Sequence, residues 1–563
     1  PAGIPGRPRP VTDSWNFVNR VRDVARADPD RRALIFPKTK PGVSPVDYGT
    51  VTFKELNEES DRYAQGLRAF GIGRGTRVLL LVPVSVELLT LALALLKMGA
   101  ILVLIDPGMG KKSLLKCVQH VQPRGLIAVP LVHALRTLSR KSFGGITHAV
   151  TVGAKWWWGG PTHWDLRNPV WTEFPVAAVS REELAAIVFT TGSTGLPKGV
   201  HYTHGVFDAQ VKILEREFHA GDRVGLAAFP TMALYYLAMG IPCVLPPVDP
   251  ARVARVNPRD IVDAVERFGV TSAAGSPMFW DPVVRYCREN GRRLESLKTV
   301  TMFGAPVRGS LLEEFAAVLP PGGRTFTPYG ATEALPVSSL SGDEILAETW
   351  PRTQSGAGVC VGRPFSELTV KILPISDEPV PDWDDARVLP PGAIGEIAVK
   401  GPVVTKRYDH HDRENIWAKI YEGSDVWHRM GDAGYFDDRG RLWFCGRKNH
   451  RVETAGGVLY SVPVEEIFNV HPRVFRTALI GLGARPRQRP VLIVEPRSGA
   501  APRNRSERTM FIDELKALAK NHPALAEVRD ILFHPALPVD YRHNAKIIRE
   551  ELVPWAAKEL GGG

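Results

Sequence analysis

Strand-like and helix-like patterns alternate through the first half of the chain, and this alternation restricts the fold more than any other feature. Phe53 to Phe70 reads as a helix, closed by a turn at Gly71, Gly73 and Gly75. Val78 to Val82 reads as an apolar strand and Val86 to Met98 as a helix. Ile101 to Ile105 is a second strand, ending at Asp106-Pro107. Further on, Ile261 to Phe268 and Leu311 to Val318 are helical, Val270 to Ala274 is strand-like, and Phe326 ends another strand. Strands alternating with helices predict an α/β fold with mostly parallel sheets covered on both faces. Ligands in such folds gather at the carboxyl ends of the strands.

The pattern changes after Leu368. Shorter strands (Leu368 to Ile372, Gly395 to Val399, Arg441 to Phe444) are separated by turns at Pro391-Gly392 and Asp438-Arg439-Gly440, which predicts a small β-rich subdomain. After Gly446 comes a polar, basic run, Arg447 to Arg451. A final stretch then carries strands at Thr477 to Gly481 and Val491 to Val494 and a helix at Met510 to Ala519, enough for a small α+β domain. Asn504 to Glu507 reads as loop. At 563 residues the chain has room for three or four modules of roughly 150 residues.

Composition excludes several classes. Hydrophobic residues at 44% and charged residues at 23% are those of a globular protein and rule out a largely disordered or fibrous chain. The net charge of +11 invites a nucleic-acid reading, but Lys and Arg are spread along the chain, so no nucleic-acid partner is expected. Five scattered cysteines without a C-x-x-C argue against a disulfide framework or zinc site and fit a cytoplasmic protein. Pro1 to Ser14 lacks the apolar core of a signal peptide. The longest apolar stretch, Leu79 to Ile105, is broken by Pro83, Glu87, Lys97 and Gly99, too often for a membrane span of about twenty residues.

The richest chemical signal is Ile187-Val-Phe-Thr-Thr-Gly-Ser-Thr-Gly-Leu-Pro-Lys-Gly-Val200. A strand runs into hydroxyls and glycines closed by Lys198. Glycines let backbone N–H groups approach an anion, hydroxyls add donors and lysine adds charge, so the loop suits phosphate. It is not a Walker A loop, because Gly199 follows Lys198. It is not a nucleophile elbow, because no glycine stands two residues before Ser193.

This loop resembles the signature of the adenylate-forming superfamily of acyl-CoA synthetases, luciferases and peptide-synthetase adenylation domains. Further matches follow in order. Gly304-Ala305-Pro306 resembles the adenine-side turn, and Tyr329-Gly330-Ala331-Thr332-Glu333 the Tyr-Gly-x-Thr-Glu motif. Met430-Gly431-Asp432 resembles Thr-Gly-Asp with Met in place of Thr. Gly446-Arg447 resembles the hinge opening, and Asn544-Ala545-Lys546-Ile547 the Ser-Gly-Lys-Ile motif, with Ala replacing Gly. The resemblance implies a large AMP-binding domain over residues 1–446 and a small mobile lid over 447–563.

It also implies roles for particular residues. Thr190, Thr191, Gly192, Ser193, Thr194, Gly195 and Lys198 would hold the β- and γ-phosphates of ATP. Tyr329 would pack on adenine, Thr332 would touch the α-phosphate, and Glu333 would hold Mg²⁺, a hard cation that takes oxygen ligands. Asp432 would bind the ribose, helped by Arg447, and Lys546 would bridge the attacking carboxylate and the α-phosphate. His450, in the hinge, is expected to be solvated. Phe229, Met232, Tyr235 and Tyr236 would line an acyl pocket, their apolar surface suiting an alkyl chain.

Several segments resemble one branch, the olefin β-lactone synthetases of long-chain hydrocarbon biosynthesis. They include Pro328 to Val337, Gly356 to Gly362, His428 to Asp432, Leu442 to Lys448, Arg451 to Thr454 and Val539 to Ile547. That likeness implies activation of a long-chain 2-alkyl-3-hydroxyalkanoic acid and closure to a β-lactone. It implies pathway partners too, a ketoreductase and a β-lactone decarboxylase. An acyl-CoA ligase or acyl-AMP ligase shares the first half-reaction, and a non-catalytic binding subunit would keep the fold alone. His543 is a candidate base by its place near Lys546. Trp156-Trp157-Trp158, before Gly159-Gly160, suits either a partner or lipid-facing patch, with peripheral membrane contact, or packing against the glycine turn.

Overall fold

The stretch from Leu79 to Ile105 shows how the first layer is built. Ser85 caps the helix Val86–Lys97, its hydroxyl accepting from the Leu88 amide at 3.2 Å. This helix is apolar all round because it is buried all round, packed against the helix Phe53–Ala69. Thr52 and Glu55 form a reciprocal capping box at the start of Phe53–Ala69. Lys97, the charge that argues against a membrane span, lies wholly inside. Its ammonium donates to the Asn57 carbonyl (2.9 Å), the Asn57 side chain (2.8 Å) and the buried Asp61 carboxylate. Burial pulls its pKa down to about 8, against the attraction of Asp61. Among the described residues no helix is long and apolar enough to cross a membrane.

The computed structural model describes residues 14–39, 42–190, 197–219, 221–248, 256–383, 388–539 and 546–561. The six-stranded first sheet runs in the order His148–Thr151, Gly125–Ala128, Arg77–Leu81, Ile101–Leu104, Leu184–Thr190, Lys198–Thr203. Its strands are parallel except the last, which folds back on Leu184–Thr190 as a hairpin. A seven-stranded second sheet is likewise parallel except at one edge, where Tyr48–Thr52 pairs antiparallel with Arg32–Pro37. These are the parallel sheets the alternation predicts.

The β-rich part is larger than expected. An eight-stranded antiparallel sheet begins at Tyr329–Ala331, well before Leu368, and ends at Leu442–Arg447. The strands Asp425–Phe436 and Leu442–Arg447 are its spine, with Asp432 facing Arg447 in register. The chain then builds a small α+β domain. Val474–Leu482, Arg489–Pro496 and Asp530–Phe533 form its sheet, and Ser461–Asn469, Arg505–Ala519 and Arg549–Gly561 are its helices. Its apolar clusters are centred on Phe468 and Phe511 and on Ile493 and Leu552.

Two glycines allow this domain to sit against the eight-stranded sheet. Gly446 has φ +110°, and a Cβ there would lie 2.3 Å from Ser461 Oγ. Gly356 has φ +86°, and a Cβ there would meet Ile467 Cδ1 at 2.7 Å. The π-helical turn Thr353–Ala357 can therefore pack closely on Ser461–Asn469. One expectation is corrected. Asn504 to Glu507 is not loop but a helix start, since the Asn504 side chain accepts from Glu507 N (2.9 Å) and Glu507 accepts from Arg503 N (2.7 Å). The cap was legible as Asn-x-x-Glu.

The Lys97–Asp61 pair generates a direct prediction. Asp61→Ala leaves a buried ammonium without its counter-charge and should destabilise the fold by about 3–5 kcal/mol in urea unfolding. A loss of only about 0–1 kcal/mol, the value for solvated pairs, would contradict this account of the packing.

Candidate active site

The eight-stranded sheet supplies the first cluster. Asp432 is 4% exposed at the centre of the strand Asp425–Phe436. Tyr329, from the first strand of that sheet, donates its hydroxyl to Asp432 Oδ2 at 2.7 Å. Across the register, Arg447 Nη1 lies 2.9 Å from Oδ1 and also donates to the Met430 carbonyl at 3.1 Å. Burial raises the Asp432 pKa, opposed by the charge of Arg447, the Tyr329 hydrogen bond and the charge of Lys546. Oδ1 is in charge contact but accepts no well-aligned hydrogen bond among the described residues. A buried acceptor in that condition suits an incoming hydroxyl.

A second cluster surrounds Glu333. Tyr408 donates its hydroxyl to Glu333 Oε1 at 2.7 Å. Thr405 donates from its amide (2.9 Å) and hydroxyl (3.2 Å) to the Glu333 backbone carbonyl. The carbonyl of Thr332 accepts from Tyr202 Oη at 2.6 Å. The Tyr408 ring has two ammonium groups near it, Lys198 at 5.2 Å and Lys419 at 5.5 Å. Lys419 is fully buried and donates to the Thr405 carbonyl; burial brings its pKa down to about 7. Opposite Lys419 in register, buried His428 is held well below its ordinary value, by burial first and then by the Lys419 charge.

The two strands that flank the phosphate-type segment pair antiparallel at the edge of the first sheet, with Thr190 opposite Lys198. Thr191, Gly192, Ser193, Thr194 and Gly195 lie outside the described residues, as does His543. Gly304, Ala305 and Pro306 form the turn after the strand Thr299–Met302. The preceding Phe303 faces Phe229 edge-on at 6.4 Å, so this turn and the start of the helix Pro230–Met239 are neighbours. Met232 and Tyr235 are buried on that helix. Tyr235 donates to Gln210 Oε1 (2.6 Å), and Gln210 donates to the Leu335 carbonyl (2.9 Å), beside Glu333.

Two expected positions differ. Tyr236 is a core residue rather than a pocket wall: its ring packs where a side chain on Gly225 would stand, and its hydroxyl meets Ser272 Oγ at 3.3 Å. One-residue spacing on a helix turns it away from Tyr235. His450 is not solvated. It is mostly buried, with Arg549 Nη1 at 3.4 Å from Nδ1 and Glu550 at 3.8 Å from Nε2. Burial, then the charges of Arg549, Arg447 and Arg485, push its pKa down to about 3. Lys546 is exposed, three residues before Arg549, which is anchored to Glu465 and to the Leu479 carbonyl (3.3 Å).

Tyr408 and Lys419 escape sequence reasoning. Tyr408 lies 75 residues from the carboxylate it holds, with no spacing rule to connect them. Lys419 had a weak signal, as a lone lysine between Ala418 and the buried Ile420 at the start of a strand.

The chain belongs to the AMP-binding enzymes, whose family pattern matches residues 21–409. These enzymes use ATP as a substrate. The chain is 42% identical over 558 residues to the olefin beta-lactone synthetase of Xanthomonas campestris pv. campestris, covering 98% of this chain and 99% of that protein. It is also 42% identical to the olefin beta-lactone synthetase of Stenotrophomonas maltophilia (strain K279a), over 556 residues, 97% of this chain and 98% of the relative. The solved amide bond synthetase McbA from Marinactinospora thermotolerans shares the fold, with a TM-score of 0.78 at 23% identity over 96% of this chain and 99% of that one.

Tyr408 holds the Glu333 carboxylate as a positioning residue. With Glu333 in the role its motif implies, Tyr408→Phe should lower ATP–pyrophosphate exchange about 10–100-fold, as removal of an outer hydrogen bond does at metal-holding carboxylates. Exchange at the unaltered rate would show that Glu333 is oriented without it.

Proposed function

We propose that the chain is an ATP-dependent β-lactone synthetase. It adenylates a long-chain 2-alkyl-3-hydroxyalkanoic acid and closes it to a β-lactone, releasing pyrophosphate and AMP. The observation that carries this reading is the similarity over nearly the whole chain to proteins of that name. The two polar clusters supply the physical reason.

Asp432 receives the ribose hydroxyls through its unmatched oxygen, and the charge of Arg447 opposes the upward pull of burial on its pKa. Tyr329 holds Asp432 by its hydroxyl and offers its ring to adenine. Lys198, Thr190 and the loop between them hold the β- and γ-phosphates, and Thr332 meets the α-phosphate. Glu333 would suit a hard cation, which takes carboxylate oxygens: Tyr408 engages one of its oxygens. When bound there, Mg²⁺ supplies neutralising charge to the triphosphate.

In the first step a substrate carboxylate oxygen attacks the α-phosphorus. The bond to the β-phosphate oxygen breaks, and pyrophosphate leaves. Lys546 carries its ammonium to the attacking oxygen and the α-phosphate, where negative charge accumulates in the transition state. In the second step the substrate's 3-hydroxyl oxygen attacks the acyl carbon and its proton passes to solvent; the acyl–phosphate bond breaks and AMP departs with the bonding electron pair. The nucleophile is already tethered, so effective concentration replaces a separate acceptor site. Phe229, Met232 and Tyr235 form the acyl wall. Residues 1–446 form the large domain, and 447–563 act as a lid that brings Lys546 to the site.

The substrate's 3-hydroxyl calls for a ketoreductase upstream, and the lactone for a decarboxylase downstream. All five cysteines are free and buried, which supports a cytoplasmic setting. Incubation with ATP, Mg²⁺ and a 2-alkyl-3-hydroxy acid, with and without coenzyme A, should give the lactone in both mixtures by NMR. A thioester formed only with coenzyme A, and no lactone without it, would establish an acyl-CoA ligase instead. Lys546→Ala should reduce adenylate formation about 10²–10³-fold while ATP still binds.

A further inference from the structure

Basic residues are spread along the chain, but acidic ones are not. From Pro107 to Trp164, 58 residues, there is no Asp or Glu and there are eight Lys or Arg. The helices Lys111–Val121, Pro130–Leu138 and Arg140–Phe143 in this segment pack on one face of the first sheet, at the end formed by its edge strand His148–Thr151. Gln119 donates to Ser142 at 2.9 Å and ties the first of these helices to the third. Their outward side is basic: Lys111, Lys112, Lys116, Arg124, Arg140 and Lys141 are all exposed.

The same segment displays large apolar side chains in water. Leu131 and Leu138, seven residues apart and so on one side of their helix, are 72% and 82% exposed. The three-tryptophan run is tied to the same helix through its last indole. Trp158 is buried, donates its indole N–H to Thr151 Oγ1 at 2.9 Å and stacks on His133 of that helix at 5.4 Å. With Trp158 as the anchor, Trp156 and Trp157 are left 50% and 72% exposed, and exposed Lys155 precedes them. One indole of the run thus packs inside, on His133 and Thr151 rather than on the glycine turn, and two face solvent.

We infer that this face docks on anionic membrane surface, with Trp156, Trp157, Leu131 and Leu138 entering the headgroup region and the surrounding Lys and Arg meeting lipid phosphate. Indoles favour the boundary between headgroups and acyl chains. Apolar contact combined with basic charge is the recurring chemistry of reversible attachment to anionic bilayers. The absence of any acidic residue over 58 positions removes the repulsion that would oppose it. The docking does not depend on the reaction proposed above. For an acid with two alkyl chains, the bilayer would be the reservoir from which substrate is drawn.

The test uses the full chain and co-sedimentation with vesicles of phosphatidylcholine alone or mixed with phosphatidylglycerol, with retention on immobilised polyglutamate as a second arm. The protein should sediment with the phosphatidylglycerol vesicles and not with phosphatidylcholine alone. Trp156→Ser with Trp157→Ser should weaken that partition at least about tenfold. Arg140→Glu with Lys141→Glu should weaken it by about the same factor or more, since each cation near the surface is worth about fivefold. Unchanged thermal midpoints would show that both variants fold. Failure to bind the anionic vesicles, or binding unaltered in the tryptophan variant, overturns the proposal. Retention on polyglutamate without vesicle binding would identify the face as a docking site for an acidic protein and overturns it as well.

Discussion

A buried carboxylate cannot stay ionised without partners, and the arrangement around Asp432 follows from that need. Its partners come from three places: Tyr329 at one end of the antiparallel sheet, Arg447 across the register, and the charge of Lys546 from the small domain. Satisfying one acid therefore draws on the first strand of the sheet, its last strand and the small C-terminal domain. One of its oxygens is left without a hydrogen bond, and under the proposed function that oxygen is the acceptor for a ligand hydroxyl.

The Glu333 cluster follows similar logic with different means. Here the acid is steadied by a tyrosine whose own ring sits near two lysines, one from the hairpin that holds the phosphate loop and one sealed in the core. Tyr408 thus connects Lys198 and Lys419 to the Glu333 carboxylate. Lys419, with its pKa drawn down to about 7, can sit beside that tyrosine at a smaller cost than a permanent buried charge.

Local interactions were legible in the sequence and distant ones were not. The apolar strands at Val78 and Ile101, the helix between them and the strand at Gly395 declare themselves by periodicity, because burial pattern and secondary structure share one repeat. The ordered motifs located Tyr329, Glu333, Asp432 and Arg447, which the fold gathers into adjoining clusters. The helix start at Asn504 was missed although its cap is local, because its first turn is polar and exposed. Tyr408, Lys419 and the buried state of His450 depend on contacts across tens of residues, and only packing could supply those. Tyr236 illustrates the same limit: helix spacing separates it from Tyr235, but which of the two faces the core depends on the sheet beneath.

The central claim is that the carboxylate, not the hydroxyl, is activated, and that the hydroxyl then closes the ring. An acid carrying ¹⁸O in both carboxylate oxygens tests this most directly. The account predicts one labelled oxygen in AMP, one in the lactone carbonyl and none in pyrophosphate. Both labels retained in the lactone, with none in AMP, would contradict it.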